Sequence, residues 1–208
     1  MNYFSNWNKF YKLKPNGGQW GNHLSGPDSH VERFFSIIPV KSNSCILDSG
    51  CADGKNSAYI NSLGHTVYGI DVSECVINRV SENVKGNFSV QDCKETSFTN
   101  NKFDAIIDAG CLHVNEPFTH RAILEEYHRI LKPKGYLNIR FFNNNKGNPS
   151  ESIFSVAGDE LYMPVYGFAK PIIHSLISNL YSVEDYYFDA WYGATGHGCH
   201  NYVLARID

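Results

Sequence analysis

The chain lacks any apolar run that approaches the ~20 residues needed to cross a bilayer, so hydropathy offers no membrane span. Its opening residues, Met1-Asn2-Tyr3-Phe4-Ser5-Asn6-Trp7, hold no basic stretch followed by an apolar one. No secretory signal is therefore expected, and the expected location is cytoplasmic. Basic clusters are scarce as well: none is denser than Lys132-Pro133-Lys134, and the formal net charge is -3. Such a balance attracts no polyanion, so neither a nucleic acid nor a membrane is an expected partner.

Closely spaced cysteine pairs are also missing. The 6 cysteines (Cys45, Cys51, Cys75, Cys93, Cys111 and Cys199) contain no C-x-x-C pair. In a cytoplasmic chain they are expected to stay reduced, with no disulfide framework and no zinc site. His197-Gly198-Cys199-His200 does crowd three potential ligands into four positions. Adjacent residues of an extended segment point to opposite faces, however, so no metal is expected there. What the sequence has in quantity is rings: 13 Tyr and 13 Phe help raise the aromatic share to 14%, which suits both a core and a flat ligand. A length of 208 residues provides for one sizeable core and not two, so a single domain is expected.

From Cys45 onward short apolar runs alternate with helix-like stretches, the pattern of a parallel sheet with crossover helices. Strands are expected over 45–48, 66–71, 87–91, 103–108 and 136–142, and helices over 56–63, 74–83 and 118–131. Ser73 is placed to cap the second of these helices, and Gly64 to stop the first. A helix over 171–180 and strands over 182–190 and 201–207 follow, the strands joined by a short connection holding Gly193, Gly196 and Gly198. So short a connection rules out a parallel crossover, so the last strand should run antiparallel. The expected architecture is an α/β, Rossmann-like, mixed seven-stranded sheet with helices on both faces.

Two features carry chemistry. Gly50, Ala52 and Gly54 alternate directly after the strand ending in Asp48, where small residues let the backbone turn tightly and approach a ligand. Carboxylates then recur at successive strand ends: Asp48, Asp71, Asp92 and Asp108. In an open parallel sheet these ends line one edge, where ligands bind. A carboxylate after the second strand, about 20 residues past such a loop, is placed to bind two ribose hydroxyls. The alternative for each Asp is that it caps a helix or shapes a turn.

These segments resemble those of class I methyltransferases dependent on S-adenosylmethionine (SAM). Ile46-Leu47-Asp48-Ser49-Gly50-Cys51-Ala52-Asp53-Gly54 is similar to their first motif, and Tyr68-Gly69-Ile70-Asp71-Val72-Ser73 to their ribose-binding strand end. Phe103-Asp104-Ala105-Ile106-Ile107-Asp108 and the stretch from Glu125 to Tyr136 resemble the fourth strand and the helix–turn–strand beyond it. The likeness covers about residues 43–142. It departs from the family at Ala52 and at Lys134, where glycine is common; Ala52 is expected to be tolerated if its φ is negative.

The resemblance implies SAM as cofactor, with S-adenosylhomocysteine (SAH) as product, and it implies roles. Ser49, Gly50 and Cys51 would approach the methionine part of SAM, with Asp48 fixing the loop or the amino group and Gly54 completing the turn. Asp71 would hold the ribose, Val72 would pack on the adenine, and Asp92 with the backbone of Cys93 would bind the adenine amino group. Ala109, Gly110 and Cys111 would run beneath the sulfonium. His113, shortly after the fourth strand, is the candidate base, with a structural role as its alternative. Tyr11 is the second catalytic candidate.

Residues 1–40, with Tyr3, Phe4, Trp7, Phe10, Tyr11 and Trp20, resemble the N-terminal lid of small-molecule methyltransferases, the alternative being a helix packed on the sheet. His23 and His30 are expected to be solvated or to start a helix. The expected division is a lid over 1–40, a SAM-binding core over 41–142, an insertion over 143–169 and a C-terminal part over 170–208. In the insertion, Tyr162, Tyr166 and Phe168 could line an acceptor pocket or serve packing. The function expected is methyl transfer to a small molecule by a monomer or homodimer. Residues 108–113 resemble the thiopurine and tellurite-resistance branch, and no Asn/Asp-Pro-Pro-Tyr motif for nucleobase or glutamine amino groups is present. Two alternatives stand: cyclisation or cleavage of SAM itself, and non-catalytic SAM binding. A nicotinamide site fits less well, because the loop runs G-x-A-x-G.

Overall fold

The computed structural model describes residues 3–14, 26–144, 152–155, 163–190 and 198–208, with backbone alone for 3–5 and 152–155. Trp20, His23, Tyr162, Gly193, Gly196 and His197, singled out above, lie outside the described residues. The first strands follow their apolar runs closely: β1 (Cys45–Ser49), β2 (Thr66–Asp71), β3 (Asn87–Val90) and β4 (Phe103–Asp108). Between them lie α3 (Lys55–Ser62) and α4 (Glu74–Asn83). Ser73 caps α4, its hydroxyl accepting from Val76 N at 3.4 Å, which satisfies one of the orphan amides of the first turn.

The chain continues through α5 (His120–Ile130), β5 (Leu131–Phe142), β6 (Ser152–Ser155), β7 (Pro164–Tyr166), α6 (Lys170–Ile177), β8 (Tyr181–Asp189) and β9 (Cys199–Arg206). The main sheet has seven strands in the order β3-β2-β1-β4-β5-β9-β8. Its first five strands are parallel, and β9 runs antiparallel to both β5 and β8. The expected mixed sheet is thus the observed one.

Alternation along β1 sets the two faces. Ile46 packs with Val67, Ala105, Ile107 and Val203 beneath Val31, Phe34 and Ile60 of the helices on that side. Leu47 joins Ile70, Ile106, Leu137 and Ile139 beneath Ile123 and Leu124 of α5 and Ile173 of α6. A period of two therefore builds two cores from one sheet.

Several features refine or depart from the sequence expectations. The proposed lid divides: α1 (Tyr3–Leu13) reaches the pocket described below, but α2 (Ser29–Ile37) buries His30, Val31 and Phe34 against the sheet. His30, expected to be solvated or to start a helix, does lie at the start of α2 but is only 1% exposed. β5 begins earlier than expected because Leu131 already pairs with Phe103; the chain then leaves register through Lys134, at φ 61°, and returns at Tyr136 opposite Ala105. In the insertion, β6 and β7 pair as a separate two-stranded sheet. The first helix-like residues of 118–131 are instead a short 3₁₀ turn, Pro117–Thr119.

If α2 is part of the core, Phe34→Ala should destabilise the domain by about 3–5 kcal/mol, the usual cost of deleting a fully buried ring. Thermal unfolding measures this, and a loss below about 1 kcal/mol would assign α2 to a peripheral lid.

Candidate active site

At the carboxyl ends of β1, β2 and β4 the chain encloses a pocket lined by Trp7, Tyr11, Gly50, Ile70, Asp71, Val72, Gln91, Cys93, Gly110, Cys111, Val114 and Asn115. It sits where the connection leaving β1 turns to β2 on one side and that leaving β4 turns to β5 on the other, the ordinary ligand position of an open α/β sheet.

The four strand-end carboxylates divide into two kinds. Asp48 is 1% exposed and accepts from Ser57 Oγ at 2.6 Å, so it ties β1 to α3 rather than facing the pocket. Asp108 is fully buried and accepts from Gly110 N at 3.1 Å, Cys111 N at 2.7 Å and Leu112 N at 3.0 Å. Asp108 thus shapes the turn after β4, and Asp48 fixes the end of β1 to the helix beyond the glycine loop. Asp71 lines the pocket, its oxygens receiving Ser73 N at 2.9 Å and Ala52 N at 3.3 Å. Asp92 pairs with Lys94 Nζ at 3.1 Å and accepts Lys94 N at 2.9 Å, while its neighbours Gln91 and Cys93 reach the pocket. Burial pushes the carboxyl of Asp48 up to about 7 and those of Asp71 and Asp108 up to about 6.

The loop between β1 and α3 turns through left-handed residues. Gly50 has φ 69°, and a Cβ there would stand 2.8 Å from Cys111 Cβ, so only glycine lets the loop touch the β4 turn. Gly54 has φ 81° and a Cβ there would lie 2.4 Å from Val80 Cγ2; its place is in packing against α4, away from the pocket. Ala52 has φ 45°, so the negative φ that would make alanine harmless is not what the chain adopts. Its amide nonetheless bonds Asp71, and that bond helps hold the strained turn.

The remaining residues are placed as follows. Ser49 is buried with its hydroxyl 2.7 Å from the Tyr127 hydroxyl. Cys51 packs with Ile77 and Val80 of α4, and Ala109 packs on the α2 side of the sheet. Val72, Gly50 and Cys93 line the pocket. His113 is 1% exposed, lies with Nδ1 3.4 Å from the Arg140 carbonyl, and packs edge-on against Phe142. Burial pulls its imidazole down to about 3, so it is neutral at physiological pH. Tyr11 lines the pocket at 7% exposure, and burial together with Asp71 raises its phenol well above the usual range. Of the other marked histidine and cysteine residues, Cys199 packs with Phe10 and Phe142, whereas His200 bonds Tyr186 and Asn143 from the neighbouring position on β9.

Three contributors carried no signal that singled them out in the sequence. Asn8 accepts from Ser73 Oγ at 3.1 Å and Cys75 N at 3.0 Å, docking α1 on the start of α4. Arg79 of α4 bonds Asp53 of the glycine loop at 2.7 Å and the Tyr11 carbonyl at 3.3 Å. Tyr127 donates to Asp108 at 3.0 Å; a tyrosine on the apolar face of α5 is the kind of residue that needs such a partner.

The donor set fits SAM. Asp71 offers acceptor lone pairs to a vicinal diol, Ile70, Val72 and Gln91 offer apolar and amide contacts to a purine, and Trp7 and Tyr11 offer stacked rings 5.9 Å apart to a positive sulfur. A family model described as a methyltransferase domain matches residues 46–135. Residues 46–135 thus match a methyltransferase domain, and the sheet around them has the Rossmann-like methyltransferase fold. Among curated relatives, an uncharacterised methyltransferase of Schizosaccharomyces pombe is 37% identical over 84 residues, covering 36% of this chain and 58% of that protein. The chain thus spans less than two thirds of the relative it matches.

Two solved structures share the methyltransferase fold. The 1,6-didemethyltoxoflavin N1-methyltransferase of Burkholderia thailandensis, solved with its acceptor and SAH, superposes with TM-score 0.69 at 19% identity over 87% of this chain and 80% of that one. The [4+2]-cyclase SpnF superposes with TM-score 0.74 at 14% identity over 96% and 94%. SAM is the cofactor of the methyltransferase family, and the domain's pocket lies where its donor set is gathered.

The left-handed Ala52 gives a direct check on the loop. Ala52→Gly should leave stability unchanged or raise it by up to about 1 kcal/mol, while Ala52→Val should cost about 2 kcal/mol in thermal unfolding, because a β-branched side chain is poorly tolerated at positive φ.

Proposed function

We propose that the protein transfers the methyl group of SAM to a small-molecule acceptor in the cytoplasm. The observation that carries this reading is the pocket itself: Asp71 and Gly110-Cys111 sit in one cavity roofed by Trp7 and Tyr11 of α1. When bound, SAM supplies an electrophilic methyl on a positive sulfur. Asp71 holds the ribose, Val72 and Ile70 pack on the adenine, and Gln91 with the backbone of Cys93 meets the purine edge. Trp7 and Tyr11 exclude water, and each ring face favours the positive charge by about 0.5–2 kcal/mol. Most of the rate then comes from positioning and desolvation.

His113 fits the structural role better than that of a base. An imidazole that takes a proton only near pH 3 is too weak to accept one from a neutral acceptor at physiological pH. It forms a neutral wall between Gly110 and β5, where its Cε1 and Nε2 would lie 3.5 Å from a Cβ added to Gly110. Tyr11 acts as a neutral ring and not as a phenolate. The likeness of residues 108–113 to the thiopurine and tellurite-resistance branch is one of sequence and names no acceptor.

The second chemistry, rearrangement of SAM itself, is worth separating from methyl transfer. Incubating the protein with SAM alone and identifying products by mass spectrometry does so. Methyl transfer predicts SAM unchanged until an acceptor is added and SAH afterwards; methylthioadenosine formed without an acceptor would replace this reading with rearrangement of SAM.

Binding should also depend on pH with a defined sign. Asp71 can accept from both ribose hydroxyls, one on each oxygen and with charge assistance, when it is ionised, and its carboxyl titrates at about 6 in the ligand-free protein. SAH binding therefore favours the deprotonated form, and affinity should fall as pH drops through about 6. In Asp71→Asn that pH dependence should flatten and affinity at pH 8 should fall roughly 10–100-fold, the scale of losing charged hydrogen bonds. Calorimetric titration across pH 5–8, the interval that brackets this pKa, measures both.

A further inference from the structure

The chain leaving β3 folds back over the sheet, so that Cys93 joins the core of Leu47, Ile70 and Ile106, and Cys111 packs against the same core. Two strands, β2 and β1, separate β3 from β4, yet the sulfurs that follow these strands meet: Cys111 Sγ donates to Cys93 Sγ across 3.6 Å. Both cysteines line the cofactor pocket, so a small solute entering it reaches them even though Cys93 is only 4% exposed. Cys93 is the electron-rich partner. Its Sγ accepts from the Cys111 thiol and from Asn115 Nδ2 at 3.8 Å, and that amide is itself fixed by the Cys111 carbonyl at 2.7 Å. The bond to Cys93, followed by burial, raises the Cys111 thiol well above its usual range, so Cys111 keeps its proton while the pair is reduced.

The arrangement is close to that of a cystine. The ~2.05 Å bond of a disulfide lies about 1.5 Å inside the observed contact, and both residues sit in turns and not in strands. Closing that gap would be felt in the pocket. A Cβ at Gly50 would stand 2.8 Å from Cys111 Cβ and 3.2 Å from its Sγ, so the glycine loop is seated directly on this side chain. Drawing the Cys111 sulfur toward Cys93 reshapes the wall that Gly50, Cys111 and Asn115 share.

We propose that Cys93 and Cys111 are a modification site, a dithiol in the pocket wall that hydrogen peroxide closes to a disulfide and that binds the cofactor more weakly once closed. This goes beyond the methyltransferase reading and rests on it only in taking the pocket as the cofactor's. Cys93, as thiolate, attacks one peroxide oxygen; the S–O bond forms as the O–O bond breaks, and the departing hydroxide takes a proton to become water. Cys111 then gives up its proton and attacks the Cys93 sulfenic sulfur, forming the S–S bond and releasing a second water. Two thiols lose two electrons, and one peroxide becomes two waters. Small-molecule thiols reverse the change by exchange, as expected of a transient disulfide in a reducing compartment.

The test treats the reduced full chain, under native conditions, with a small excess of hydrogen peroxide. Mass spectrometry of an unreduced digest maps the linkage, and calorimetry measures SAH affinity before and after. The peptides holding Cys93 and Cys111 should be joined, and SAH affinity should fall at least tenfold and return to within twofold once dithiothreitol reopens the bond. In Cys93→Ser, whatever its starting affinity, peroxide should change SAH binding by less than twofold; should that variant fail to fold, Cys111→Ser carries the same expectation. Free thiols at both positions after treatment would overturn the proposal. So would a disulfide that leaves SAH affinity within twofold of the reduced protein, or a serine variant that loses affinity to peroxide as the wild type does. If the reduced wild type fails to bind SAH, the cofactor reading is what fails, and the peptide map still decides whether the pair closes.

Discussion

One buried carboxylate holds the floor of the pocket in shape. Asp108 gathers the amides of Gly110, Cys111 and Leu112 and the hydroxyl of Tyr127, and Tyr127 in turn takes the hydroxyl of Ser49. The end of β4, the turn that follows it, α5 and the end of β1 are thereby joined through a single anion. A carboxylate with no exposure is costly to ionise, which is why burial lifts its titration to about 6; four protein donors offset much of that cost. Gly50 and Cys111 can meet closely only because this turn is pinned, and their meeting shapes the pocket wall.

The roof depends on a second, more exposed set of bonds. Arg79 links the glycine loop through Asp53 to the last turn of α1 through the Tyr11 carbonyl, and Asn8 anchors α1 to the start of α4. The roof is therefore fastened to the same loop that approaches the ligand. Movement of α1 would be felt at Asp53 and Ala52, beside the bond from Ala52 to Asp71.

Much of the sheet was legible because strand and helix periods were clean. β2, α4 and β4 have the bounds expected from the runs 66–71, 74–83 and 103–108, each ended by a polar or capping residue. The antiparallel finish followed from connection length alone. The strand-end carboxylates were legible as a set but not in their directions, since a side chain's turn inward toward Ser57 or outward toward a pocket leaves no mark on spacing. For residues 1–40 the rings leave a lid and a packed helix as alternatives, and α2 is the packed helix because Val31 and Phe34 bury against residues that the sheet brings together from far along the chain. The ion pairs of Asp28 with Lys55 and Arg140 are likewise a product of tertiary packing and have no local motif.

The central claim is that Asp71 and the turn held by Asp108 define one cofactor site beneath α1. A crystal structure of the SAH complex tests it most directly. The account predicts both ribose hydroxyls on the Asp71 carboxylate, the sulfur above Gly110 and Cys111, and the rings of Trp7 and Tyr11 closing over it. SAH bound elsewhere, or a ribose held by another residue with Asp71 turned away, would contradict it.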